Sequence, residues 1–320
     1  MRFASLPQLE SSIVNTGNNG EYNLQKFTIP VQNENISLQG FLTAPKHRSK
    51  YYHDVEHHKE RIVLHFTAGQ IRSDLEALTR NDYHVSVAFV IGRNGVIYQL
   101  FPSKYWSGHI GKGIGNTDTG NAQDKVTIAI ELSNYGYLTE RDGNLETYYS
   151  RLKDDKGNVG PVDIYCSLTE KDAYSKIAQP FRSQSYFANH TDAQYDSLII
   201  LLRYLTSKHK ISRQFLAESK RYETTEDVLK FNGIVSHVNY RKDGKWDIGP
   251  CFGWDKVING VQATSYIPLF NTLGNPKVSN GPLESVGTSL TSEDQMEGLL
   301  PEAKDASEED DPYDEEDVII

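Results

Sequence analysis

The chain has 320 residues, 38% hydrophobic and 24% charged, with a formal net charge of −10. No run of about 18 apolar residues is present, which excludes a transmembrane helix. The charge is local: 13 acidic side chains and one lysine lie from Ser292 onward, about −12 in all, so the rest of the chain carries about +2 and nothing favours nucleic acid or an anionic membrane surface.

The segment Met1–Pro7 turns polar before an apolar signal core could form. No ordinary secretion signal is expected, and the reading is a chain retained in the cytoplasm unless a phage, an injection machine or lysis delivers it. Cys166 and Cys251 are too far apart in sequence for a disulfide framework or a zinc knuckle.

Residues 1–59 read as a polar N-terminal extension with short strands at Leu24–Pro30 and Ile36–Thr43. His53 and His57 would share a face on a helix and could hold a metal; a solvated charged turn or helix is the plainer reading. Arg61–Thr67 is a buried-strand signal that carries His65. Ser73 has N-cap chemistry before Asp74–Leu78, with Glu76 in capping-box register. Strands are expected at Val85–Gly92 and Val96–Phe101, joined through Asn94-Gly95, a pair that tolerates positive φ in a tight hairpin. Val126–Leu132 is a further β-branched strand. Residues 133–190 are less regular and read as an insertion over or beside a site. Tyr195, Leu198, Ile199, Leu202 and Leu205 recur at helical spacing behind Thr191 as cap. Gly233–His237 is the last strand, running into a glycine-bearing loop that ends at Pro250.

Strands alternating with helices predict an α/β domain, a mixed central sheet flanked by helices, over residues 60–265. From about 275 to 320 the chain becomes Ser/Gly/Pro-rich and then acidic, and disorder is expected because too little apolar surface is available to offset the entropy of ordering.

Three passages could carry chemistry. His65 sits at a strand end, where a side chain is held firmly yet opens on a cleft. His237, Lys245 and Asp247 form an H-x7-K-x-D pattern in which Lys245 and Asp247, two apart, point to one side of an extended backbone. Zinc in a hydrolase takes neutral imidazoles and an anionic ligand and keeps one position open, a requirement that His65, His237 and Asp247 would meet. Glu131 lies among apolar neighbours in Ile128–Leu132, where a carboxylate is costly unless paired or functional. It is placed like a general base, with a structural ion pair as the competing account.

The order strand–His, hairpin, strand–Glu, helix, strand–His, Lys-x-Asp resembles the amidase-2 family, which comprises N-acetylmuramoyl-L-alanine amidases, related phage lysozymes and peptidoglycan recognition proteins. The resembling passages are Ile62–Gly69, Val85–Leu100, Trp106–Gly111, Thr127–Leu132 and His237–Pro250, within about residues 60–256. The resemblance implies a Zn2+ ion on His65, His237 and Asp247, Glu131 as catalytic glutamate and Lys245 as the lysine beside the metal. His109, with Trp106 and Thr67, would contact substrate; a structural role for His109 is the alternative. Two departures stand out. Val87-Ala88 occupies a place where relatives commonly carry histidine, and Cys251 lies beyond Asp247, which holds the third ligand position.

The implied function is zinc-dependent hydrolysis of the amide between N-acetylmuramic acid and L-alanine in peptidoglycan or muropeptides. The alternatives are a non-catalytic peptidoglycan-binding module, or a delivered assembly component whose acidic tail docks a protein partner.

Overall fold

A computed structural model describes residues 1–17, 22–43, 51–81, 83–117 and 120–273. The segment expected to be disordered lies outside them. In chain order the first elements are α1 (Leu6–Gly17), β1 (Gln25–Pro30), β2 (Ser37–Leu42), β3 (Arg61–Phe66) and α2 (Ile71–Leu78). Then come β4 (Phe89–Ile91), β5 (Ile97–Gln99), α3 (Ala122–Val126) and β6 (Thr127–Leu132). The inserted stretch holds β7 (Tyr137–Arg141), β8 (Asn144–Glu146), β9 (Ile164–Ser167), β10 (Tyr174–Phe181) and β11 (Gln184–Ala188). It is followed by α4 (Asp192–His209), β12 (Gly233–Ser236) and α5 (Trp254–Gln262).

A mixed seven-stranded sheet, ordered β1-β2-β5-β4-β6-β3-β12, forms the centre of this α/β fold. Its strands β4, β6, β3 and β12 run parallel side by side. Every residue of β3, β6 and β12 is buried. Strands covered on both faces have no solvent side to alternate with, so Ile62–Leu64 and Ile128–Ile130 are unbroken apolar runs.

Register decides what these strands deliver. His65 pairs with Glu131 across β3 and β6, and Leu64 with Ser236 across β3 and β12. His65, Glu131 and His237 therefore reach the same edge of the sheet, at the carboxyl ends of three adjacent parallel strands. In open α/β sheets that edge is where ligands bind.

Helix α4 starts with a full capping box between Thr191 and Gln194. It packs on β2, β4 and α5, which explains why it is buried almost all round from Ala193 to Thr206. The close approach of α5 depends on Gly260, where a Cβ would lie 2.6 Å from Ile199 Cδ1.

Several expectations change. The helix after β3 begins at Ile71, not after Ser73: Gln70 is the cap and accepts from the Arg72 N–H, while the Ser73 hydroxyl donates to the Gln70 carbonyl. In the β4–β5 turn only Gly95 has positive φ, +84°. That turn is held from outside by Glu10 of α1, whose carboxylate accepts the N–H groups of Arg93 and Asn94 at 2.8 and 2.7 Å. Strands β1 and β2 extend the central sheet. The insertion is a sheet in its own right, ordered β10-β11-β7-β8-β9, over a small core that includes Leu138, Leu145, Tyr165 and Tyr186. His53 and His57 do not lie on a helix: the His53 ring stacks between His84 and Trp106, with centroids 4.3 and 4.0 Å away.

Candidate active site

The edge of the sheet opens on a cleft lined by His65, His109, Glu131, His237, Lys245 and Asp247, with apolar wall from Phe66, Leu78, Val85 and Val87. His65 arrives from the end of β3, Glu131 from the end of β6 and His237 from the residue after β12. Lys245 and Asp247 come from the following loop, whose ends are drawn together by the Val238 N–H donating to the Asp247 carbonyl at 2.8 Å.

Three donor atoms meet there. His65 Nδ1 lies 2.9 Å from His237 Nδ1, and each lies 3.0 Å from Asp247 Oδ2. A triangle that small contains a point about 2 Å from all three corners, the length of zinc bonds to nitrogen and oxygen. The three residues expected to share a cation are thus brought together.

The hydrogen bonds behind the triangle fix where the protons are. His237 Nε2 is 3.0 Å from the Ile110 carbonyl, which can only accept, so the proton is on Nε2 and Nδ1 is a lone pair. The Thr127 hydroxyl donates to the Gln123 carbonyl at 2.7 Å, so it must accept from His109 Nε2 at 2.8 Å. That leaves His109 Nδ1 as the acceptor for His65 Nε2 at 3.1 Å, and His65 Nδ1 is again a lone pair. Two imidazole lone pairs and a carboxylate oxygen thus converge with no proton donor between them. Such a set repels itself unless a cation sits at its centre. The donor chemistry and the outward-facing hydrogen bonds both fit zinc.

The electrostatics agree. Burial lowers His65 to about 4, against which Asp247 pulls upward, and burial likewise lowers His237. Both rings are neutral near pH 7, as metal ligands must be.

Glu131 is held differently. Burial, then the charges of Asp247 and Asp74, push its carboxyl well above the ordinary value, with Lys245 opposing. Its Oε2 is buried without a hydrogen-bond partner. A buried carboxylate oxygen without a partner is costly to the fold, and such groups in clefts are candidates for function.

The expected substrate contacts fare otherwise. Both nitrogens of His109 are engaged, by His65 and Thr127, and the ring lines the cleft. Thr67 is fully buried, its hydroxyl accepting the Gly69 and Asn134 N–H groups. Trp106 packs on His53 and is not part of the cleft lining. Sequence reasoning missed Thr127 as a contributor. Its only signal was position, at the start of the strand that carries Glu131. Cys251 is a half-buried free thiol, pushed up to about 11 by burial.

The family described as N-acetylmuramoyl-L-alanine amidase matches residues 56–250. No curated protein matches the sequence significantly. Among solved structures, the chain is similar to the N-acetylmuramyl-L-alanine amidase AmiD from E. coli, in complex with anhydro-N-acetylmuramic acid-L-Ala-D-gamma-Glu-L-Lys. Identity is 20%, over 72% of this chain and 65% of that one, just under two thirds of its length, with a TM-score of 0.39. AmpD is similar at 16% identity, over 67% of this chain and 91% of that one, with a TM-score of 0.38. AmpDh3 from Pseudomonas aeruginosa, in complex with anhydromuramic pentapeptide, is also similar at 16% identity, over 68% of this chain and 66% of that one, with a TM-score of 0.37.

Proposed function

Because the chain belongs to the N-acetylmuramoyl-L-alanine amidase family, we propose that it is a zinc-dependent hydrolase that cleaves the amide between N-acetylmuramic acid and L-alanine in peptidoglycan or muropeptides. The observation that carries this reading is the cluster of three converging lone pairs, from His65, His237 and Asp247, in one cleft with the unpartnered Glu131 carboxylate. A binding module gains nothing from burying an unpartnered carboxylate beside such a cluster, and the catalytic reading accounts for it.

Zinc on these donors supplies Lewis acidity to the scissile carbonyl and makes water a stronger acid. Glu131 accepts the proton of the attacking water and returns it to the nitrogen of the departing L-alanine. The water oxygen forms the new bond to the lactyl carbonyl carbon as the carbon–nitrogen bond breaks. Lys245, which lines the cleft with Asp247, places an ammonium where negative charge develops on the carbonyl oxygen. A donor so placed contributes on the order of 3 kcal/mol to transition-state stabilisation.

Mass spectrometry of digests of purified sacculi and of soluble muropeptides, with and without a chelator, tests the proposal. Release of free stem peptide that stops on chelation and returns with zinc supports it. Intact amide after incubation with the zinc-loaded protein overturns it.

A further inference from the structure

The β10–β11 hairpin of the insertion ends in a two-residue turn, Arg182-Ser183, with φ of +46° and +68°. Turns of this shape favour Asn-Gly, because a Cβ disfavours positive φ. An arginine at this position goes against local preference, and its side chain supplies a reason. The Arg182 guanidinium donates to three carbonyls of the loop that carries Lys245 and Asp247: Val238 at 3.3 Å, Arg241 at 2.9 Å, and Lys245. It also donates to the Thr224 hydroxyl at 3.3 Å. The contact runs both ways, since the Trp246 indole N–H donates to the Arg182 carbonyl at 3.0 Å.

Alternation along the loop makes this contact informative. Lys245 and Asp247 line the cleft. Trp246, between them, faces the insertion and packs on Tyr137 of β7 with ring centroids 4.5 Å apart. At the next turn of the loop, Phe181 lies so close to Gly249 that a Cβ there would be 3.1 Å from its ring. The insertion therefore grips the back of the segment whose front holds an acid ligand and an ammonium.

We propose that Arg182 is a positioning residue: the insertion acts as a brace that sets the Lys245–Asp247 segment against the sheet edge. Its catalytic consequence rests on the zinc-amidase reading, whereas the brace itself does not. One planar fork serves three carbonyls that face it from different parts of the loop, which a lysine ammonium cannot reproduce. Without it, the described backbone bond across the loop is the Val238–Asp247 pair.

Arg182→Asn tests this in the full chain, because asparagine suits the turn but cannot reach the loop. Hydrogen exchange followed by mass spectrometry on the metal-free protein should show at least about tenfold faster exchange in residues 238–249, with the β10 and β11 peptides unchanged. Zinc affinity should fall about 10- to 100-fold, the range for residues that orient metal ligands. The kcat should fall with KM nearly constant. Trp246→Phe, which removes the indole N–H and trims the ring packed on Tyr137 but leaves the Arg182 fork in place, should give a smaller change of the same kind and serves if Arg182→Asn does not fold. Unchanged exchange in 238–249 with zinc affinity within twofold of wild type overturns the brace, as does exchange that rises equally throughout the central sheet. If the unmodified protein neither binds zinc nor hydrolyses substrate, the functional reading falls, and the exchange data still decide the brace.

Discussion

Thr127→Val removes one hydroxyl that lies beyond His109, remote from substrate chemistry, and should nevertheless weaken zinc binding. In the wild type, Thr127 accepts from His109 Nε2, which makes His109 Nδ1 the acceptor for His65 Nε2 and leaves the His65 Nδ1 lone pair facing the cluster. Valine keeps the shape and takes away the acceptor. The metal-free protein can relieve the loss by moving protons, since His65 Nδ1 can then donate to Asp247. The metal-bound protein cannot, because zinc needs that lone pair. The cost of a buried donor without a partner, about 1–3 kcal/mol, therefore falls mainly on the bound state. In affinity this is roughly 5- to 150-fold. Competition against a chromophoric chelator measures it, with Thr127→Ser, which restores the hydroxyl, as control. An affinity for Thr127→Val within twofold of wild type would refute the proton assignment.

Glu131→Gln should lower kcat about 10²- to 10⁴-fold, the usual worth of a positioned acid–base group, with zinc content unchanged. The same change should raise the melting temperature of the metal-free protein, because it removes a buried carboxyl facing Asp247 and Asp74. A fall in melting temperature would contradict that. Acid should destabilise the metal-free protein in a defined window. Burial lowers His53 and His65 to about 4 and His190 to about 3, and lowers His57, His109 and His237 as well. These histidines outnumber the buried carboxyls of Glu10, Asp74 and Glu131, which are raised and act the other way, so between about pH 6.5 and 4 the unfolded chain binds more protons than the folded one. Stability should therefore be fully present above about 6.5 and fall as pH drops through that window. A flat profile of melting temperature from pH 7 to 4.5 would contradict it.

Much of the site was legible because its side chains end strands whose apolar runs are unmistakable. His65, Glu131 and His237 follow Ile62–Leu64, Ile128–Ile130 and Ile234–Val235, and parallel pairing brings the three ends together. The tautomer wiring was not legible. Nothing in the sequence places Thr127 behind His109, since that contact depends on β6 lying beside the Trp106–Gly111 segment. The insertion reads as irregular in the sequence because β8 has only three residues and the longer β10 is largely exposed, so neither shows a clear apolar pattern. Helix α5 escaped notice for a similar reason: it has nine residues, with Trp254, Val257 and Val261 as its buried stripe. The role of Arg182 was hidden by distance, since it meets Lys245 63 positions away.

A crystal of the zinc-loaded protein measured on either side of the zinc absorption edge tests the central claim most directly. One anomalous peak is expected about 2.0–2.2 Å from His65 Nδ1, His237 Nδ1 and an Asp247 carboxylate oxygen. A peak elsewhere, coordination through the Nε2 atoms, or no peak on these three residues would contradict the account.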